Sequence, residues 1–263
     1  MMNDFHVLGT RLLVTDYQGL SQLCLERAGM EQPVALDFAN TQIVTMRRHE
    51  PAFRELTSAY DFFPPDGMPL IWCLNRAGAG LTDRVYGPTF MRKFLEAIPP
   101  GYTHYLLGGT AEVGSKIKET FTTRNPGISF VGCYHGRCLS DGRIDPVDEA
   151  RILSELKALA PDFIWIGFGT PKQQAWITRY KPLLERGVLL TVGFAFDVNA
   201  GTKRDAPMFL QKLGLTWIFR LWSEPRRLGP RYLKYNFLFL WYLFWDGIRG
   251  RAWGRCLKEN GQK

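Results

Sequence analysis

Cysteine is scarce in this chain: Cys24, Cys73, Cys133, Cys138 and Cys256 are the only five in 263 residues, and no two form a Cys-x-x-Cys pair. An odd, scattered set excludes a disulfide framework. Cys133 and Cys138 flank His135, yet a structural zinc needs four ligands and no second pair is present. No secretory leader is expected either, because Met1-Met2-Asn3-Asp4 carries an acid and the apolar stretch Leu12-Leu13-Val14 is too short. Together these absences indicate a protein of the reducing cytosol. The longest apolar run, Phe237 to Trp245, is nine residues, about half of the ~20 that a spanning helix needs. It suits lying on a bilayer rather than crossing one. Also absent are the G-x-G-x-x-G fingerprint, a Walker lysine, the G-x-S-x-G elbow, an H-E-x-x-H pair and any Asp-x-Asp. The expectation is chemistry with no cofactor and no bound metal.

What is present is an ordinary globular composition, 46% hydrophobic and 22% charged, with a net charge of +8. That charge is unevenly placed. Residues 203–263 hold 13 Lys and Arg against 4 Asp and Glu, a net of +9, whereas the first 202 residues are close to neutral. The same tail carries 13 of the 36 aromatic residues and 5 of the 8 tryptophans. Basic residues interleaved with aromatics suit an anionic membrane surface, with nucleic acid as the rival anion.

Short apolar runs alternate with helical patterns, which predicts an α/β fold, a mostly parallel sheet flanked by helices. The predicted strands are Val34–Phe38, His104–Leu107, Ile128–Val131, Phe163–Ile166 and Leu189–Val192. One helix is expected to be capped by Asp145, to open on Pro146 and to stop at Pro161. Another is expected to be capped by Thr170, with Pro171 in its first turn. The change of pattern near Asn199–Pro207 divides the chain into a catalytic domain, 1–202, and a basic, aromatic, helical C-terminal appendage, 203–263.

In such a sheet, ligands bind beyond the carboxyl ends of the strands. Five places there carry candidate residues. Gly108 and Gly109 form a turn that lets a phosphate approach the backbone, or simply a tight turn. Gln173 and Gln174 follow Gly169-Thr170-Pro171, where amides can bond a nucleotide or merely face solvent. Asp66, in Pro64-Pro65-Asp66-Gly67-Met68-Pro69, is either a rigidly held general base or a helix N-cap. Asn40 follows the first strand, and Arg84 is suited to phosphate or to a surface acid such as Asp83.

In this order, these segments resemble the WecG/TagA/CpsF family of bacterial glycosyltransferases, glycosyltransferase family 26. The resemblance rests on Asp66-Gly67, Arg84-Val85-Tyr86-Gly87, Leu107-Gly108-Gly109, Gly169-Thr170-Pro171-Lys172-Gln173, Phe196-Asp197, and Gly214-Leu215-Thr216-Trp217 through Arg220, Glu224-Pro225 and Arg227. It implies a Rossmann-like fold and inverting, metal-independent transfer from a UDP-sugar to a polyprenyl-diphosphate-linked sugar. Carried over, Asp66 would be the catalytic base and Asn40 would position a substrate. Arg84, Gly108, Gly109 and Gln173 would line the nucleotide-sugar pocket, and Arg220, Arg227 and Arg231 would neutralise the diphosphate. The appendage would meet the inner face of the cell membrane, a phosphate-bearing lipid being favoured over nucleic acid, with a homo-oligomer left open. The chain departs from the family at Phe38 (usually Thr), Gln174 (Glu), Asp205 (Arg) and Thr216 (Glu). These departures leave the reaction class intact and the donor sugar open among glucose, an N-acetylmannosamine derivative and other hexoses.

Two other classes are weighed. A nucleotide-sugar epimerase or dehydrogenase would need the dinucleotide fingerprint and a Tyr-x-x-x-Lys pair, whereas Tyr180 and Lys181 are adjacent. A nonenzymatic basic module binding RNA or membrane would account for the tail and leave Asp66 and the glycine turns unused.

Overall fold

A computed structural model describes residues 4–249 and 254–257. The chain opens with β1 (Asp4–Val7) and β2 (Thr10–Leu12), an antiparallel hairpin turned at Leu8 and Gly9, both with positive φ. Two left-handed residues in a two-residue turn match the right-handed twist of the flanking strands. After α1 (Tyr17–Ala28) comes β3 (Val34–Asp37), followed by α2 (Thr41–His49), α3 (Pro51–Leu56), α4 (Met68–Arg76) and α5 (Gly87–Ala97). Then β4 (Thr103–Gly108), α6 (Ala111–Arg124), β5 (Ser129–Tyr134), α7 (Pro146–Leu159), β6 (Phe163–Gly167), α8 (Lys172–Tyr180), β7 (Val188–Thr191) and α9 (Ala195–Asn199) alternate.

The central sheet is parallel, five-stranded and ordered β3-β7-β6-β4-β5. All five predicted strands are present. Their side chains alternate between two buried clusters, Leu107, Ile164, Ile166 and Leu189 on one face and Leu106, Phe163, Trp165 and Leu190 on the other. The first face is covered by α2, α4, α7, α8 and the C-terminal helix, the second by α1, α5, α6 and α9. Period-two alternation with both faces buried gives strands that are apolar throughout, the signature of a doubly covered Rossmann-like sheet.

Asp145 caps α7 as expected, accepting from the Val147 N–H. Thr170 does not cap α8. Pro171 occupies the N-cap position after a cis peptide bond, and the Thr170 hydroxyl instead accepts from Gln174 Nε2 at 3.3 Å.

Residues 200–207 form no helix or strand, after which α10 (Met208–Lys212), α11 (Thr216–Ser223) and α12 (Pro225–Ile248) make a helical segment. The 24-residue α12 buries Tyr232, Tyr235, Phe239 and Leu243 and leaves Phe237, Leu240, Trp241 and Phe244 exposed. It is apolar on both faces, not amphipathic. Its buried face packs along α2, where Arg48 pairs with Asp246 at 3.1 Å, His49 meets the Tyr242 hydroxyl at 2.8 Å, and Lys234 and Tyr235 bond to Glu50. Among the described residues no helix is long and apolar enough to cross a membrane. β8 (Gly254–Leu257) returns to pair antiparallel with β1, so the last described residues complete a sheet begun by the first.

Candidate functional site

The segment before α4 delivers Asp66 to the end of β3. The Asp37 and Ala39 N–H groups donate to the carbonyls of Phe62 and Pro64, and the Asp66 N–H donates to the Ala39 carbonyl at 2.7 Å. Pro64 and Pro65 lack an N–H and offer only carbonyls, which is what this edge uses. Gly67 is the N-cap of α4, so the Asp66 carboxyl is not spent as a cap.

That carboxyl is half-buried, and its Oδ1 is sealed from solvent with no hydrogen-bond partner among the described residues. Burial pushes its pKa up to about 7, against the opposing pull of the Arg84 guanidinium, the Gly87 N–H and Arg220. The nearby Asp205 pushes in the same direction as burial. An acid poised near neutrality is suited to proton transfer at physiological pH.

Two cavities meet at Asp66. One, of about 510 Å³, lies beyond the carboxyl ends of β3, β6 and β7 and is lined by polar groups. Asp37, Gln173, Asp197, Lys203, Arg220 and Arg231 all contribute to its wall. The other, of about 460 Å³, opens between α4 and the helices α11 and α12, and its wall is largely apolar. Asn40, Gln42, Asp66, Tyr86, Arg220 and Tyr232 belong to both.

The expected site residues divide accordingly. Asn40, Asp66, Gln173, Arg220 and Arg231 converge on the polar cavity. The Asn40 side-chain carbonyl caps α2 by accepting from the Ile43 N–H. Gln173 is buried rather than solvent-facing, and its Oε1 accepts from the Gly169 N–H at 3.1 Å. Arg220 stacks 4.1 Å over the Phe194 ring, and Arg231 donates to the Thr170 carbonyl.

Arg84 is buried and lines only the apolar cavity. It donates to the Asp66 carbonyl at 3.3 Å and to the Thr216 hydroxyl at 2.9 Å, and lies over the Tyr86 ring. It therefore ties the Asp66 segment to α11, and does not serve a surface acid. Gly108 and Gly109 line neither cavity. A Cβ on Gly108 would meet the Gly167 backbone at 2.9 Å, and one on Gly109 would press on Phe196 and Val113 at 3.2 Å. Both have positive φ, so these glycines are required by packing as well as by conformation. The Arg227 side chain lies outside the described residues.

Several site residues escape the sequence reading. Asp37, buried at the end of β3, accepts from Gln174 Nε2 and the Thr191 hydroxyl, each at 2.8 Å, and burial pushes it up to about 6 despite those bonds. The signal was available: a carboxylate inside the apolar run Val34-Ala35-Leu36-Asp37-Phe38. Lys203 bridges Asp197 and Glu224, joining α9 to the start of α12. Tyr86 donates to Asp205 at 2.7 Å, which pins the stretch leading into α10 against the site. Among the described residues no three His, Cys, Asp or Glu side chains gather in a way that would hold a metal.

Fold and site together are those of a Rossmann-like α/β enzyme with a polar cavity at the strand ends. The chain belongs to the Glycosyl transferase WecG/TagA/CpsF family, which it matches over residues 5–252. Among its relatives are N-acetylglucosaminyldiphosphoundecaprenol N-acetyl-beta-D-mannosaminyltransferases of Staphylococcus aureus strains MRSA252, MW2 and NCTC 8325. Each is 31% identical over 192 residues, 73% of this chain and 72% of the relative.

Proposed function

We propose that this protein transfers a hexose or N-acetylhexosamine derivative from a UDP-sugar to a sugar carried on a polyprenyl diphosphate, with inversion and without a metal ion. The work belongs to exopolysaccharide or cell-surface glycan synthesis at the inner face of the cell membrane. The observation that carries this reading is the Asp66 carboxyl, lifted to about 7 and set on the wall of a cavity that also holds Arg220 and Arg231. The relatives' names supply the acceptor class.

In this reading Asp66, once deprotonated, takes the proton of the acceptor hydroxyl as that oxygen bonds to the anomeric carbon. The bond from that carbon to the diphosphate oxygen breaks on the opposite side, the configuration inverts, and the electron pair leaves with UDP. Arg220 and Arg231 face the departing charge, with Arg227 assigned to the same task, and fixed cations in a partly enclosed cavity stabilise it where it develops. Asn40 orients substrate beside Asp66, and Gln173 holds the turn along which the nucleotide rests. Gly108 and Gly109 act from behind the wall, seating Phe196 so that Asp197 reaches the cavity. Residues 1–202 then serve as the catalytic domain, and 203–263 as the appendage that completes the site and rests on the bilayer. The exposed Phe237, Leu240, Trp241 and Phe244 of α12 support that last role.

The test is turnover by purified protein given a panel of UDP-sugars and short-chain polyprenyl-diphosphate sugars, with and without EDTA. Transfer that survives EDTA and requires Asp66 is expected. No transfer from any UDP-sugar, or transfer abolished by EDTA, contradicts the proposal. Vesicle sedimentation tests the membrane role: deletion from Phe237 onward should release the protein, and unchanged binding would remove that role.

A further inference from the structure

The apolar cavity has no task in the transfer itself, yet it shares Asp66 and Arg220 with the polar one. Away from that shared boundary its wall is Met68 and Trp72 of α4 facing Phe239, Leu240, Leu243 and Phe244 of α12. Trp72, Leu240 and Phe244 are more than half exposed, at 56%, 64% and 59%, so the cavity opens onto the exposed apolar side of α12. Its polar groups are concentrated where the two cavities meet. Such a space complements an amphiphile whose anionic head lies at Arg220 and whose hydrocarbon tail runs outward between α4 and α12.

We propose that this cavity binds the head-proximal isoprene units of the acceptor's polyprenyl carrier, so that the enzyme grips the lipid chain itself and not only its sugar diphosphate. The inference rests on the acceptor class proposed above. A volume of about 460 Å³, at roughly 30 Å³ for each water-sized group, holds on the order of fifteen carbons, about three isoprene units. The rest of the carrier stays in the bilayer. About half of the wall comes from the appendage and the rest from residues 1–202, α4 among them, so the grip exists only with the appendage docked. It would also hold the reacting sugar at Asp66 against withdrawal into the membrane.

Binding to the full chain, below micelle-forming concentrations and without vesicles, separates this grip from membrane attachment. The ligands are inorganic pyrophosphate and the dimethylallyl, geranyl, farnesyl and geranylgeranyl diphosphates, followed by quenching of tryptophan fluorescence and by calorimetry. Affinity is expected to rise at least tenfold for each of the first three units and then to level off. Trp72→Asp and, separately, Leu240→Asp should flatten that ladder; both positions are exposed, and circular dichroism checks that each variant folds. Equal affinity for pyrophosphate and farnesyl diphosphate, or a ladder unchanged in both folded variants, would overturn the proposal. Failure of the acceptor reading looks different: the ladder is present, but no polyprenyl-diphosphate sugar is glycosylated.

Discussion

The two cavities are alike in size and opposite in material. The polar one, about 510 Å³, is built largely by strand ends of the parallel sheet, and it draws Lys203, Arg220 and Arg231 from the C-terminal segment. The apolar one, about 460 Å³, is built from α4, α11 and α12. Asp66 sits where they join, and this explains its chemistry. Burial at that junction denies its carboxylate solvation and raises its pKa, while Arg84 on the apolar wall and Arg220 at the shared boundary oppose the shift and hold it near neutrality. Asp37, which lines the polar cavity alone, is also raised, to about 6, because it too is buried.

The sharpest way to break that contrast is to remove the carboxylate. Asp66→Asn should lower kcat for sugar transfer by roughly 10²- to 10⁴-fold, the range for loss of a general base, with the donor KM little changed. Next in size, Arg220→Ala should cost on the order of 10²-fold in kcat, as expected when a preorganised donor to developing charge is lost. Steady-state kinetics with the active donor checks both.

A smaller effect concerns the coupling between regions. Thr216→Val removes the hydroxyl that receives Arg84 Nη2 and leaves the guanidinium its bond to the Asp66 carbonyl. A loss of about 1.5–3 kcal/mol in stability is expected from a broken buried bond to a charged group, read as a lower urea midpoint. Activity should fall less than in Asp66→Asn. A further effect, on stability alone, is one of linkage. The Asp66 carboxyl binds its proton more tightly folded (about 7) than in an unfolded chain (3.8), so its ionisation destabilises the fold as pH rises through that window. Asp66→Asn should therefore raise Tm relative to wild type at pH 8, with the difference vanishing toward pH 4.

The sheet was legible because its strands are buried on both faces and read as unbroken apolar runs. The sheet of β1, β2 and β8 was not: Asp4–Val7, Thr10–Leu12 and Gly254–Leu257 are short and mixed in polarity, and their pairing joins opposite ends of the chain. Asp66, Asn40, Gln173, Arg220 and Arg231 were legible from local motifs, and they do share one cavity. Asp37 was hidden by its strand, and Lys203 by being one cation among thirteen in the tail. Gln174 reads locally as a solvent-facing amide. Its partner, Asp37, lies 137 residues away, and only the docking of α8 against the sheet brings the two together. Composition identified α12 as basic and aromatic. It did not reveal that one apolar face would be taken by α2 and the other left exposed, because that division is set by packing.

In the proposed reaction the carboxyl at the junction of two unlike cavities takes the proton of the acceptor hydroxyl. The pH dependence of kcat/KM tests it most directly. Wild type should rise with unit slope below a midpoint near pH 7, and the residual activity of Asp66→Asn should lose that ionisation. A wild-type profile with no transition near 7, or the same transition retained in Asp66→Asn, would contradict the account.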